Sequence, residues 1–247
     1  MPLWVQMRWF AGAAQPSAGL GAMKSRSQLP LALCFPPAMS REDFVVSPAN
    51  CEALGFIESW PDWTVAIAAL HGPPGCGKTH LASIWQAMTG ARRISANDVS
   101  LSAVRRRAAL VIEDVDSAEP TRDRDSVLFA AMQTAGHQFP LLLTGLAAPP
   151  HWPCVLPDLA SRFSAIAALQ VQAPDDRLLA GLARKLFADR QLVVTDEVID
   201  HMLFLLERSP GTVRDFVAEA DAAALSEARP VNLSLVRRLL AARQGSS

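Results

Sequence analysis

The sequence predicts an α/β protein: a parallel β-sheet sandwiched by helices, followed by a small all-α domain. Three observations carry that prediction. The short apolar runs Val65–Leu70, Ala108–Ile112 and Pro140–Thr144 read as strands buried on both faces, the pattern of a parallel sheet covered by helices. A glycine-rich turn, Gly72-Pro73-Pro74-Gly75-Cys76-Gly77-Lys78-Thr79, joins the first run to a helical stretch. From about Val171 onward the apolar residues recur at helical spacing.

Taken in order, residues 1–40 read as a disordered extension and tail. Residues 1–22 lack the basic start and sustained apolar stretch of a signal peptide. They read as an extension or as an artefact of start-site choice, with Met23 the more natural beginning. The Pro-rich stretch 23–43 is expected to be mostly extended. A first domain is expected over 41–172. Within it, Ser47-Pro48 predicts the cap and first turn of a helix reaching about Trp60. A strand over Thr64–Leu70 follows, then the glycine-rich turn, then a helix from Lys78 to about Met88. A weakly signalled strand lies near Ile94, a clear one over Ala108–Ile112, a helix over Asp123–His137 and a strand over Pro140–Thr144.

Residues 173–247 are expected to form the helical domain. Leu179, Leu182 and Leu186 make one stripe, Ile199, Met202, Leu203 and Leu206 another. Val213, Phe216, Val217, Ala220 and Ala224 make a third, and Leu235, Val236 and Leu239 mark the last helix. Thr195 before Asp196-Glu197 and Ser209 before Pro210 are helix-start signals.

Composition narrows the function classes. Half of the 247 residues are apolar, enough for a sizeable core, yet no apolar run approaches the ~18 residues of a membrane span. A net charge of −1 gives no electrostatic reason for tight nucleic-acid binding. Arg92-Arg93 and Arg105-Arg106-Arg107 read as solvated faces. Cys34, Cys51, Cys76 and Cys154 have no C-x-x-C spacing, so neither a disulfide framework nor a zinc site follows, and a reducing cytoplasm is expected. His151 and His201 have no paired ligands and read as structural, and Trp60, Trp63 and Trp152 read as packing residues.

The strand–turn–helix context makes G-x-x-x-x-G-K-[ST] a P-loop, a cradle for nucleoside phosphates. Its glycines let backbone N–H groups turn toward phosphate. Gly72, Pro73, Pro74, Gly75, Cys76, Gly77, Lys78, Thr79 and His80 are the candidate ligand-binding residues, with ADP or ATP the expected cofactor. Lys78 supplies charge to the β/γ-phosphates, the Thr79 hydroxyl can hold Mg²⁺, and the helix start adds its positive end. His80 follows the loop at the helix start, where local packing is its simplest role. Glu113 and Asp114, delivered by an apolar strand to the sheet's C-terminal edge, are candidates for Mg²⁺ and for orienting an attacking water. Arg214 lies in the first turns of the helix opened by Ser209-Pro210, where it can reach phosphates held by the first domain. Arg162, in Pro157-Asp158-Leu159-Ala160-Ser161-Arg162-Phe163, follows the third strand and a loop, a second arginine downstream of the P-loop.

That order resembles the AAA+ ATPases, and within them the DnaA-related family, over about residues 41–243. Phe44-Val45-Val46-Ser47-Pro48-Ala49-Asn50 is similar to the segment opening the DnaA nucleotide domain, and Gly75–Leu81 to its "GLGKTHL". Pro157–Phe163 is similar to the segment carrying the arginine finger, which implies that Arg162 touches nucleotide on a neighbouring subunit. Thr212-Val213-Arg214-Asp215-Phe216 is similar to "NVREL", which implies that Arg214 is the lid sensor.

Two departures and one further resemblance point toward the Hda group of DnaA-related regulators. The chain ends directly after the lid, so duplex DNA recognition of its own is not expected. The interval before the acidic strand is short for the helix with which the initiator grips single-stranded DNA. Gln28-Leu29-Pro30-Leu31-Ala32-Leu33 resembles the motif by which that group binds the DNA polymerase III sliding clamp. The resemblance therefore implies a regulator that stimulates hydrolysis of DnaA-bound ATP in trans, with DnaA and the clamp as partners. A self-sufficient AAA+ motor and a P-loop small-molecule kinase are the alternatives, and a homo-oligomer is left open. Glu113 where the family usually has Asp, and Leu146 in place of a polar residue after Thr144-Gly145, count against efficient turnover. No acceptor-binding acid or second substrate loop supports the kinase.

Overall fold

The computed structural model describes residues 39–104 and 107–244. The stretch Gln28–Leu33 and the pair Arg105-Arg106 lie outside them. The described elements all belong to one compact unit, Pro37–Ser247.

Alternating apolar strands and helices build the first part. In chain order these are α1 (Cys51–Glu58), β1 (Ile67–His71), α2 (Lys78–Thr89), β2 (Arg92–Ser95), α3 (Leu101–Val104), β3 (Leu110–Glu113) and α4 (Arg122–Thr134). They continue with β4 (Leu141–Gly145), α5 (Pro157–Phe163) and β5 (Ala167–Gln170). The strands pair in parallel in the order β2-β3-β4-β1-β5. Successive strand residues alternate between the two faces of the sheet. Ala68, Leu70, Val111 and Leu142 pack on one face with α1 and α2 residues such as Ile57, Leu81 and Trp85. Ala69, Leu110, Ile112, Leu141 and Leu143 pack on the other with Leu128, Leu159 and Phe163.

The second part is helical: α6 (Asp176–Asp189), α7 (Asp196–Leu205), α8 (Pro210–Glu227) and α9 (Leu233–Gln244). Their inward stripes meet in a core of their own, where Leu179, Phe187, Ile199, Met202, Phe216, Val217 and Val236 are almost completely buried. Three starts are capped by side chains, that of α9 by Asn232, which accepts from the Leu235 N–H at 3.0 Å. Asp175 accepts from the Leu178 N–H at 2.7 Å, and Ser209 accepts from the Thr212 N–H at 3.1 Å with Pro210 in the first turn.

Three expectations are corrected. The first helix starts at Cys51, not after Ser47, because Ser47 and Asn50 close a turn on each other: the Ser47 N–H donates to Asn50 Oδ1 at 2.9 Å. Arg92 and Arg93 are not on a solvated face but half-buried in β2, where Arg92 donates to the Ala103 carbonyl at 3.2 Å and Arg93 pairs with Glu113. The edge strand β5 was not expected at all, since Ala167-Ala168-Leu169-Gln170 is short and lacks β-branched residues. No described helix is long and apolar enough to cross a membrane.

Candidate functional site

The C-terminal ends of β1, β3 and β4 lie side by side and deliver the P-loop, Asp114 and Thr144. Backbone conformation shapes the loop. Gly72, Gly75 and Gly77 have φ of +154°, +73° and +107°. A Cβ at Gly72 would lie 2.0 Å from the Val171 carbonyl oxygen, so the loop closes against the strand-to-lid connection only with glycine there. Gly77 then caps α2, whose first residues are Lys78 and Thr79. A helix start with free N–H groups at the end of a parallel strand is a ready anion site.

Lys78 is buried, and its ammonium donates to the loop's own carbonyls, Gly72 at 2.7 Å and Pro73 at 3.0 Å. The buried Cys76 thiol sits 3.7 Å from the same nitrogen. The lysine is therefore held against the loop's own backbone. Thr79 is exposed, and its carbonyl is held by the Ser83 hydroxyl at 2.8 Å.

A cleft of about 380 Å³ opens over this loop. Its floor is Pro74–His80, one wall is the entry segment Met39–Val45, and the other is the lid with Leu178, Leu182, Pro210, Gly211 and Arg214. The lining is both apolar and charged. Val45, Leu178 and Leu182 suit a flat apolar ring system, whereas Lys78, Thr79 and Arg214 suit phosphate. The Arg214 guanidinium makes no hydrogen bond or ion pair with another described residue. Burial lowers its pKa, partly offset by the adjacent Asp215 carboxylate. A half-buried guanidinium with no side-chain partner among the described residues, lining a cleft, has the chemistry to take an anion.

His80 also lines the cleft and is buried. Its Nε2 lies 2.7 Å from the Ser40 carbonyl, and its ring meets Phe44 edge-on at 5.0 Å. Desolvation pushes its pKa down, against the pull of the Ser40 carbonyl. It fastens the entry segment to α2. Asp43 does the same to the lid: Lys185 of α6 donates to it at 2.6 Å, and Lys185 and Ser40 together hold its carboxyl below the usual range. Sequence reasoning missed Met39, Asp43 and Leu178 as lining residues and Lys185 as the partner of Asp43. Phe44, Val45 and Asn50 of the opening motif line the cleft as well.

The two acids at the end of β3 separate. Asp114 lines the cleft, exposed, with φ of +56°, a conformation that a non-glycine residue holds only at some cost. Its N–H donates to the buried Thr144 hydroxyl at 3.2 Å, which pins it. Glu113 is not among the lining residues; its carboxylate pairs with Arg93. Leu146 lines the cleft where a polar group was expected, its N–H bonded to Asp116 at 2.7 Å. For Mg²⁺, Thr79 and Asp114 are oxygen donors that line the cleft, and Glu113, paired with Arg93, does not fit. When bound, the ion would neutralise phosphate charge.

Arg162 stands apart from this cleft. It is exposed in the last turn of α5, its guanidinium 4.7 Å from the centre of the Phe129 ring on α4. The start of α5 is tied to α4 by buried Asp125, which accepts from the Val155 and Leu156 N–H groups. Buried Arg124 donates to the Pro153 and Val115 carbonyls at 3.0 and 2.6 Å.

Solved structures with the same arrangement are numerous. Domain III of the Thermotoga maritima replication initiation protein DnaA superposes with a TM-score of 0.69 at 18% identity, over 83% of this chain and 96% of that one. This is the AAA+ fold. The AMPPCP-bound DnaA from Aquifex aeolicus gives a TM-score of 0.61 at 19% identity, over 74% of this chain and 65% of that chain. The AAA+ arrangement extends to the Thermotoga maritima RuvB Holliday junction branch migration motor, with a TM-score of 0.62 at 15% identity, over 81% and 70%. No family model matches the sequence, and no curated protein does.

Proposed function

We propose that the protein is a nucleotide-binding, DnaA-like regulator of replication initiation that acts on ATP held by DnaA. One observation carries this reading: the molecule separates its two arginines. Arg214 is half-buried over its own P-loop, while Arg162 is exposed, braced by Phe129, and absent from the lining of that cleft. A guanidinium so presented suits phosphate on another molecule, where it would stabilise charge developing during hydrolysis.

In this reading the protein's own cleft holds ADP or ATP with Mg²⁺. The AMPPCP bound by the Aquifex aeolicus DnaA supports a nucleotide at a fold of this kind. The P-loop cradles the phosphates, Arg214 links them to the lid, and His80 and Asp43 fix the entry segment. Bound nucleotide then sets the lid's angle rather than being turned over quickly, in keeping with Leu146 lining the site. The segment Gln28–Leu33 docks on the DNA polymerase III sliding clamp, and the setting is the cytoplasm. Arg162→Ala should abolish stimulation of DnaA's ATP hydrolysis while clamp binding, measured by co-elution, stays intact. Stimulation that survives the substitution would remove Arg162 from the role.

A self-sufficient ATPase is the second reading, and Asp114 favours it. That carboxylate lies in the cleft with a strained backbone, as a water-orienting group would. Robust turnover by the isolated protein, lost in Asp114→Asn, would establish it.

A further inference from the structure

The fate of Glu113 has a cause in the sheet. In the parallel register of β2 and β3, Arg93 stands opposite Val111, and Ser95 opposite Glu113. Arg93 and Glu113 are thus diagonal neighbours on one face, the face that packs against α2. There the Arg93 guanidinium pairs through Nε with Glu113 Oε2, and its Nη1 donates to the Ser83 hydroxyl of α2 at 2.8 Å. Ser83 in turn holds the Thr79 carbonyl. Side-chain exposure is 14% for Glu113 and 28% for Arg93. The second carboxylate oxygen, Oε1, is closed off from solvent with no hydrogen-bond partner among the described residues.

Resting on the reading that the cleft binds nucleotide, we infer that Arg93 is a positioning residue that sequesters Glu113. Among the described residues, the metal dependence of nucleotide binding is then set by Thr79 and Asp114. One Glu113 oxygen is spent on a guanidinium, and the other is shut away from any hydrated cation. Withdrawing that carboxylate would expose a half-buried arginine without its partner, so the pair resists opening. The glutamate is also accounted for: its role is to hold β2, β3 and α2 together beneath Thr79.

The test measures the Kd of a fluorescent ADP analogue in excess Mg²⁺ and again in EDTA, and takes the ratio of the two. Glu113→Gln keeps an acceptor for Arg93 and should leave the ratio within about twofold of wild type. Asp114→Asn should reduce it about tenfold, the size typical of lost support to a bound metal. Arg93→Gln, with folding checked by thermal melting, should free Glu113 and raise the ratio about tenfold, and adding Glu113→Gln should cancel that rise. A fall of about tenfold in Glu113→Gln alone would show that Glu113 serves the metal and would overturn the inference. No binding by the wild type in either buffer would overturn the nucleotide reading beneath it.

Discussion

Arg214→Ala separates binding from folding more cleanly than any other change to the cleft. The guanidinium is half-buried, its pKa is lowered by desolvation, and no described residue pairs with it. Without nucleotide it contributes little to stability, and its removal should leave the melting temperature unchanged or slightly raised. With nucleotide it would donate to phosphate, a hydrogen bond between charged groups worth about 1.5–3 kcal/mol. That corresponds to a loss of roughly 10- to 150-fold in affinity. At ligand concentrations well above the wild-type Kd, the nucleotide-induced rise in Tm should shrink by about 3–12 °C for a chain of this size. Differential scanning fluorimetry with and without ADP, alongside calorimetric titration, reads both quantities. Affinity within twofold of wild type would refute the assignment. So would a large loss of stability without ligand, because it would make Arg214 structural.

Other perturbations follow from the same geometry. Gly72→Ala places a Cβ 2.0 Å from the Val171 carbonyl oxygen and should destabilise the protein by about 3 kcal/mol in urea denaturation, with nucleotide binding lost as the loop shifts. Asp125→Ala strands the Val155 and Leu156 N–H groups and leaves buried Arg124 uncompensated, at a cost of about 3–5 kcal/mol by the same assay. Burial depresses the His80 pKa, so the unfolded chain binds its proton more readily and stability should rise with pH up to about 6.5 and then level off. In His80→Gln that slope should flatten, as a denaturation series across pH would show.

The strands and the P-loop were legible because local chemistry decides them. Apolar runs such as Leu110–Ile112 have one fate in a covered parallel sheet, and Gly72, Gly75 and Gly77 take conformations that other residues resist. The stripe from Val213 to Ala224 likewise fixed which face of α8 is buried, and with it the direction in which Arg214 lies. What was not legible depends on neighbours distant in sequence. Ser47 looks like a helix cap until Asn50 closes the turn with it, and β5 exists because β1 offers it an unpaired edge. Arg93 reads as a surface charge until the β2–β3 register sets it diagonally beside Glu113. That register also divided two adjacent acids that look equivalent in the sequence.

The most direct test of the account asks whose nucleotide is hydrolysed. DnaA carrying ATP with one label and this protein carrying ATP with another are mixed with clamp loaded on DNA, and the conversion of each label to ADP is followed. The label on DnaA should be converted in an Arg162-dependent way, while the label on this protein persists. Conversion of this protein's own label while that on DnaA remains ATP would contradict the account.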